Sequence, residues 1–234
     1  MLSAHDILPL SLATVVFPAQ HPLAGQTGVI NACLVRHPDG AILVDTGPGQ
    51  GNALIDQLYR PVHRPLDAAL ATYGLQLSDV AAVVTTHLHF DHCGQNPRFL
   101  GVPLYVQRAE HEAARARHYT IREWVEFPGA TYHFLEGDAE IAAGITLLFT
   151  PGHTPGHQSV LIETAEERVL LAGQAIYSAD EYEQIRRTGG AADQNIGNIL
   201  AGAATYRASA QRLLALAPDR VLFAHDNEVW VPRS

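Results

Sequence analysis

Short apolar and β-branched runs recur along the chain, separated by segments with the spacing of amphipathic helices. A short run of this kind, bounded by Gly, Pro or Asp, predicts a buried strand. The expected strands are 27–36, 41–45, 80–85, 102–106, 132–135, 145–149, 158–163, 169–172 and 221–224. The expected helices are 52–59, 65–73, 91–94, 110–117, 120–127 and 198–216. Strands and helices alternate in two similar halves, which predicts an α/β fold of two mixed sheets packed face to face with helices outside.

The segments between these elements add two expectations. His37-Pro38-Asp39-Gly40 is typical of a hairpin turn, so strands 27–36 and 41–45 should be antiparallel neighbours. The Gly-, Ala- and Asn-rich stretch Arg186–Gly197 predicts a mobile loop. With 234 residues, the chain fits one domain spanning residues 1–234.

Composition narrows the class of protein. Apolar residues make up 47% and charged residues 17%, a globular balance, and the net charge of −9 argues against a nucleic-acid partner. No apolar run approaches the ~20 residues of a membrane span. Residues 1–22 lack the basic and apolar regions of a signal peptide, and two cysteines form no disulfide pattern. We therefore expect a cytoplasmic protein that acts on a small molecule, as a monomer or homodimer.

Potential metal ligands follow the predicted strand 80–85. His87, His89, Asp91 and His92 place four ligand-type side chains within six positions. Such a group beside a buried strand is costly unless a cation neutralises it. His153 lies in a proline-bracketed turn after strand 145–149, and His225 follows the apolar run 221–224. Three strand ends carrying histidine, in a chain with 13 histidines, predict one shared metal centre.

The ligand types indicate which metal and which chemistry to expect. Imidazole and carboxylate groups suit Zn²⁺, with Fe, Mn or Co as alternatives. His87 and His89 lie two apart on an extended segment and can share one ion, while Asp91 and His92 can address a second. Two ions could activate water and polarise a carbonyl, which is hydrolytic chemistry. A closed structural zinc site is the alternative, but such sites usually carry cysteine ligands.

These motifs resemble the metallo-β-lactamase-fold hydrolases. Residues 86–92 match the HxHxDH signature of that superfamily, and Asp45-Thr46-Gly47, Pro151-Gly152-His153 and His225 fall where it places its other landmarks. Within the superfamily the chain looks most similar to the N-acyl-homoserine lactonases, because of the run 152–159 and Tyr177. The resemblance implies an αβ/βα sandwich.

The resemblance also implies roles for individual residues. It implies one metal site formed by His87, His89 and His153 and a second formed by Asp91, His92 and His225. Asp45 would orient a ligand, with an ordinary turn aspartate before glycine as the alternative, and Tyr177 would donate to the substrate oxyanion, with ordinary packing as the alternative. Three expectations come from the residues themselves. Asp91 should carry a proton to the leaving oxygen, His157 should support the site without ligating because the ligand set is already full, and the small Cys93 near a helix start should pack. A cap segment would line an apolar pocket, with ordinary core packing as the alternative; its candidate residues are Tyr119, Ile121, Trp124, Phe127 and Phe134.

One position departs from the family pattern. The family's bridging aspartate belongs in the segment 171–177, where this chain has Gln174. A neutral amide screens two cations less well than a carboxylate, so the second ion should be the weaker. The open outcomes are a two-metal site that includes Gln174 as a ligand, a one-metal enzyme and a decayed site. The last ranks lowest because all other ligands are present.

The expected activity is hydrolysis of a lactone similar to N-acyl-homoserine lactones. A glyoxalase-II-like thioesterase is the alternative, ranked lower because that family carries an added C-terminal helical region and nine residues follow His225 here. A catalytically silent ligand-binding protein is the alternative from another class. A phosphodiesterase or ribonuclease is disfavoured by the negative charge, and flavodiiron oxidoreductases use a glutamate where His89 stands.

Overall fold

A computed structural model describes residues 1–21, 23–189 and 201–232. Seven strands form the first sheet in the order β4-β1-β2-β3-β5-β6-β7, and five form the second in the order β12-β11-β10-β9-β8. Both sheets contain parallel and antiparallel pairs. The strands are β1 Ile7–Val16, β2 Thr27–Val35, β3 Ala41–Val44, β4 Val62–His63, β5 Val80–Val84, β6 Pro103–Gln107, β7 Thr131–Leu135, β8 Ala139–Ala142, β9 Ile145–Phe149, β10 Gln158–Glu163, β11 Arg168–Leu171 and β12 Arg220–Leu222.

Helices connect the strands. The α-helices within the described residues are α1 Ala53–Tyr59, α2 Leu66–Ala71, α3 Phe90–Cys93, α4 Arg108–Ala113, α5 Ala179–Thr188 and α6 Ala203–Ala215. Asn52 accepts a hydrogen bond from the Ile55 amide and so caps α1, while Ser178 caps α5 through the amide of Glu181. None of the helices in the described ranges is long and apolar enough to cross a membrane.

The alternation of apolar residues along each strand separates two layers of core. Val35 and Val44 of the first sheet face Leu147 and Ile162 of the second, so the sheets pack against each other. Leu34 and Leu43 point the other way, towards α2. On the far side of the second sheet, strand residues pack against α5 and α6. The chain is therefore a sandwich of two sheets between helices, and the predicted α/β fold class is confirmed.

Several features differ from the sequence-based expectations, and the short strands β4 and β8 are among the elements that were not expected. Strand β1 was not expected either. It contains Pro9, and at that position it pairs only with β2, so its other edge can lack an N–H donor. Helix α5 was not expected either, and it makes the predicted mobile loop wrong for residues 186–188, which are helical. Residues 190–197 of that loop lie outside the described residues, as do 198–200 of the last expected helix. The expected helix 120–127 contains one short 3₁₀ turn, Arg122–Trp124.

Candidate metal centre

Loops that leave the strands of both sheets meet at one edge of the sandwich. The loop 85–89 follows β5, and Asp45 follows β3, which is the parallel neighbour of β5. The turn 150–157 joins β9 to β10, and the segments after the parallel strands β11 and β12 carry Gln174 and His225. Because parallel strands end at the same edge of a sheet, side chains distant in sequence converge there.

Three histidines form what we call the first triad: His87, His89 and His153. Their ligand atoms lie within 4.8 Å of one another. Nδ1 of His89 is 3.1 Å from Nε2 of His87 and also 3.1 Å from Nε2 of His153. Nitrogens bound to one tetrahedral zinc ion at about 2.0–2.1 Å would be about 3.3 Å apart. The three rings therefore have the spacing of ligands to a single ion.

Asp91, His92 and His225 form the second triad. Nε2 of His92 lies 3.3 Å from Nε2 of His225, and the Asp91 carboxylate lies 3.6 Å from the first and 3.5 Å from the second of these atoms. The backbone carbonyl of Val29 lies 2.9 Å from Nδ1 of His225 and accepts its proton, so Nε2 is free to face the triad. This group is also spaced for one ion.

Burial keeps most of these rings in the neutral form that binds metals. Desolvation lowers the pKa of His89 to about 4, and it lowers the pKa of His87 and of His153 well below the usual value, helped by the neighbouring imidazoles. His92 differs. Burial opposes its charged form, but Asp91 and Asp45 outweigh that effect and raise its pKa.

Asp45 holds His92 from the side opposite to the triad. Its Oδ2 is 2.8 Å from Nδ1 of His92, and its two oxygens accept hydrogen bonds from the amide and hydroxyl of Thr86 at 2.7 and 2.8 Å. The carboxylate favours the tautomer that carries the proton on Nδ1, which leaves Nε2 as the metal-facing lone pair. The structure thus brings Asp45 to the ligand it was expected to orient.

Gln174 lies beside the two triads with its side-chain oxygen unpaired. That oxygen is buried and has no hydrogen-bond partner among the described residues. The backbone N–H of Gln174 donates to Nε2 of His157 at 2.9 Å, and Nδ1 of His157 lies 2.9 Å from the hydroxyl of Thr150. His157 therefore anchors the backbone of Gln174 and belongs to neither triad, as expected. A buried acceptor without a donor is costly, and a cation would satisfy it.

The converging nitrogens and this unpaired oxygen fit a bound divalent metal, and the sequence comparison agrees. Residues 25–225 match the family model described as the metallo-beta-lactamase superfamily.

The chain belongs to the metallo-β-lactamase superfamily.

Several relatives and solved structures that resemble the chain are N-acyl homoserine lactonases. The chain is 36% identical to the N-acyl homoserine lactonase of Bacillus cereus over 163 residues, which cover 64% of this chain and 65% of that relative. The N-acyl homoserine lactonase of Azorhizobium caulinodans is 30% identical over 224 residues, covering 84% of this chain and 81% of its own length. A solved N-acyl homoserine lactone hydrolase, with the product N-hexanoyl-L-homoserine at its catalytic metal centre, superposes with a TM-score of 0.77 at 27% identity, covering 94% and 93% of the two chains. The resemblance seen in the motifs is confirmed.

A pocket of about 660 Å³ in this protein reaches both triads. Its apolar side chains come from distant parts of the chain: Phe17, Ile55, Leu58, Tyr59, Phe90 and Ile121. Its floor includes His89, Asp91, His153, Gln174 and Tyr177. The Tyr177 ring stacks on His225 with centroids 5.0 Å apart, and burial raises the pKa of its phenol. Tyr177 is therefore a neutral hydrogen-bond donor at the base of an apolar pocket.

The expected cap only partly lines this pocket. Tyr119 and Ile121 do so. Trp124 instead packs in a buried cluster with Leu88 and Cys93, and Phe127 packs on the outer face of the first sheet. Phe134 lies among Arg108, His111 and Tyr132, away from the pocket. For Trp124 and Phe127 the alternative of ordinary core packing holds, whereas Phe134 is 38% exposed and neither lines the pocket nor packs in the core. Cys93 is fully buried and its raised pKa, due to burial, keeps it a thiol, which agrees with its expected packing role.

Glu110 is a residue beside the site that the sequence did not indicate. Glu110 stands in a segment that only predicts a helix, but its carboxylate is fully buried between the loops that carry the first triad. Burial raises its pKa even though four donors bind it. No spacing or motif in the sequence indicates this contact, because its partners lie 9 to 46 positions away.

Proposed function

We propose that this protein is a metal-dependent hydrolase that opens the lactone ring of N-acyl-homoserine lactones. The observation that carries the proposal is the convergence of two potential metal triads at the base of one apolar pocket. The lactonase relatives support the same substrate class. Hydrolysis of such signal molecules would make the protein a quorum-quenching enzyme.

The metal would be held by the two triads. His87, His89 and His153 offer three neutral nitrogens to one ion, and Asp91, His92 and His225 offer a carboxylate and two nitrogens to another. Zn²⁺ is the expected metal, with Fe, Mn or Co as alternatives, because these donors suit borderline cations. When bound, divalent ions supply an activated water and polarise the carbonyl of the substrate. Gln174 offers its unpaired oxygen as a further, neutral ligand.

Two side chains would stabilise the negative charge that develops on the substrate and transfer the proton to the leaving group. The neutral phenol of Tyr177 can donate a hydrogen bond to the oxygen of the carbonyl as negative charge develops there. Asp91 is 15% exposed at its side chain and lines the pocket, so it is placed to pass a proton to the leaving alkoxide. Burial favours its neutral form, but His92, His225 and His89 outweigh burial and lower its pKa, so the carboxylate would carry that proton only during turnover. Ring opening yields one product that keeps both the acid and the alcohol, so no second product has to leave.

The pocket favours an acyl lactone over the alternative substrates. Phe17, Tyr59, Phe90 and Ile121 present apolar surface suited to an acyl chain. The net charge of −9 disfavours a polyanion such as RNA. The expected cytoplasmic location and the monomeric or homodimeric state stay predictions.

A substrate panel tests the proposal. Metal-loaded protein should hydrolyse N-acyl-homoserine lactones faster than glutathione thioesters, phosphodiesters and β-lactams. Replacing both His87 and His89 with Ala should remove the ion held by the first triad and abolish turnover. Turnover of a thioester with inert lactones would assign the protein to the thioesterases, and no turnover of any substrate with metal bound would make it a ligand-binding protein.

A further inference from the structure

Glu110 lies in α4 and belongs to neither triad, yet it contacts both loops that carry the histidines of the first triad. Its Oε1 accepts the amide of Leu88 at 2.8 Å, and Leu88 stands between His87 and His89. Its Oε2 accepts the hydroxyl of Thr154 at 2.6 Å, and Thr154 follows His153. One carboxylate is thus bonded directly beside all three histidines of the first triad.

Two further donors complete the environment of this carboxylate. The Gly156 amide donates to Oε2 at 3.1 Å, and the hydroxyl of Tyr119 donates to Oε1 through a short hydrogen bond. The Tyr119 ring in turn lies 5.0 Å from that of His89. A Cβ at Gly156 would lie 2.1 Å from the backbone nitrogen of Glu110, so α4 and the His153 turn meet at contact distance. The close approach explains why glycine is needed there.

The geometry requires a carboxylate and tolerates no amide of the same size. Leu88 and Gly156 both donate backbone N–H groups, one to each oxygen. Glutamine in this place would turn an NH₂ group towards one of those two donors, and a backbone donor cannot reverse its role. The mismatch would displace either the His87–His89 segment or the turn of His153.

Other groups orient the second triad. Asp45 holds His92, and the carbonyl of Val29 holds His225. None of the hydrogen bonds described for Glu110 reaches these residues or Asp91. Asp45 also accepts from the Thr86 hydroxyl, which lies 3.2 Å from Nδ1 of His87, so it reaches the first triad only indirectly. Glu110 therefore contacts the segments of the first triad alone, whereas the direct contact of Asp45 is to the second.

We propose that Glu110 is a positioning residue that fixes His87, His89 and His153 at their metal-binding spacing and so selectively strengthens binding of a divalent ion by the first triad. This inference rests on the proposed metal centre. A residue with a merely structural role would lower stability and would weaken both triads alike.

Two variants of the protein, each of which retains one triad, distinguish a positioning role of Glu110 from a merely structural one. His92→Ala with His225→Ala leaves only the first triad, and His87→Ala with His89→Ala leaves only the second. Each would be combined with Glu110→Gln and, as the matched control, with Glu112→Gln, an exposed position on the same helix. Zinc affinity is measured by competition with a chromophoric chelator, and the visible spectrum of the Co²⁺ form reports the ligand geometry. Circular dichroism of the metal-free proteins checks folding.

Glu110→Gln should lower the zinc affinity of the first-triad chain by about 10- to 100-fold, the usual cost of losing a partner that orients ligands. The second-triad chain should change by less than about threefold, a small fraction of that loss, and Glu112→Gln should change neither. If Glu110→Gln does not fold, Thr154→Val removes a single donor and should still weaken only the first-triad chain.

An equal loss in both chains, or no loss in the first, would overturn the inference for Glu110. These results leave the metal centre itself standing. Failure of the first-triad chain with intact Glu110 to bind zinc would instead overturn the proposed metal centre, and the present inference with it.

Discussion

Asp45→Asn should weaken the second triad more than the first. Asparagine keeps the size of the side chain and tolerates the left-handed backbone of this position, where φ is +62°. The carboxylate of Asp45 accepts three hydrogen bonds, from the amide and hydroxyl of Thr86 and from Nδ1 of His92, at 2.7 to 2.8 Å. The amide of asparagine retains one oxygen, so it cannot accept from both the Thr86 amide and His92.

Two orientations of the new side chain are possible, and both carry a cost. If its NH₂ group faces His92, Nδ1 must accept, the proton moves to Nε2, and the lone pair that faces the second triad is lost. If its NH₂ group faces the Thr86 amide, a buried donor is left unsatisfied, which costs about 1–3 kcal/mol. The metal-free variant can adopt the first orientation, in which the Thr86 amide stays paired, whereas zinc at Nε2 of His92 requires the second. The cost therefore opposes zinc binding and, at 1.4 kcal/mol per factor of ten, corresponds to about 5- to 150-fold in zinc affinity.

Zinc titration of the chain that retains only Asp91, His92 and His225 measures this loss. The chain that retains only the first triad should lose less affinity, because Asp45 reaches His87 only through the hydroxyl of Thr86. Asp39→Asn, at an exposed turn, controls for removal of one negative charge. An unchanged affinity of the second triad, or a loss confined to the first, would refute the view that Asp45 sets the tautomer of His92.

Three other predictions follow from the site. Gln174→Asp should raise the metal content per chain at low added zinc, while Gln174→Asn, which has the length of Asp but no charge, should not. Mass spectrometry after identical purification decides; equal content in wild type and Gln174→Asp would mean that Gln174 lies outside the metal's reach or binds as well as aspartate. Tyr177→Phe should lower kcat for lactones by about 10²-fold with a smaller change in KM, because an oxyanion donor is lost; wild-type kinetics would rule that role out. The metal-free protein should lose stability as pH falls from about 6.5 towards 4, because unfolded histidines titrate near 6.5 whereas burial holds the folded pKa of His89 at about 4 and of His157 at about 3. A melting temperature that is equal at pH 7.5 and 5 would contradict this.

Local patterns in the sequence were sufficient to predict most elements and most candidate ligands. Residues two apart on an extended segment point the same way, so His87 and His89 could be assigned to one ion without knowledge of the fold. The hairpin 27–45 and the strand 80–85 follow from turn residues and apolar runs, which act over a few positions. The HxHxDH motif was informative for the same reason, since its side chains are neighbours in sequence.

Tertiary structure alone decided which distant groups meet. The contact of His153 with His89 spans 64 positions and that of His92 with His225 spans 133, so the sequence indicated these triads only through a family resemblance. Nothing in the sequence indicated that Glu110 would be buried beside the first triad, or that Trp124 would pack in the core while Phe17 lines the pocket. These placements depend on how two sheets and their loops close on each other, and local residue preferences do not encode that geometry.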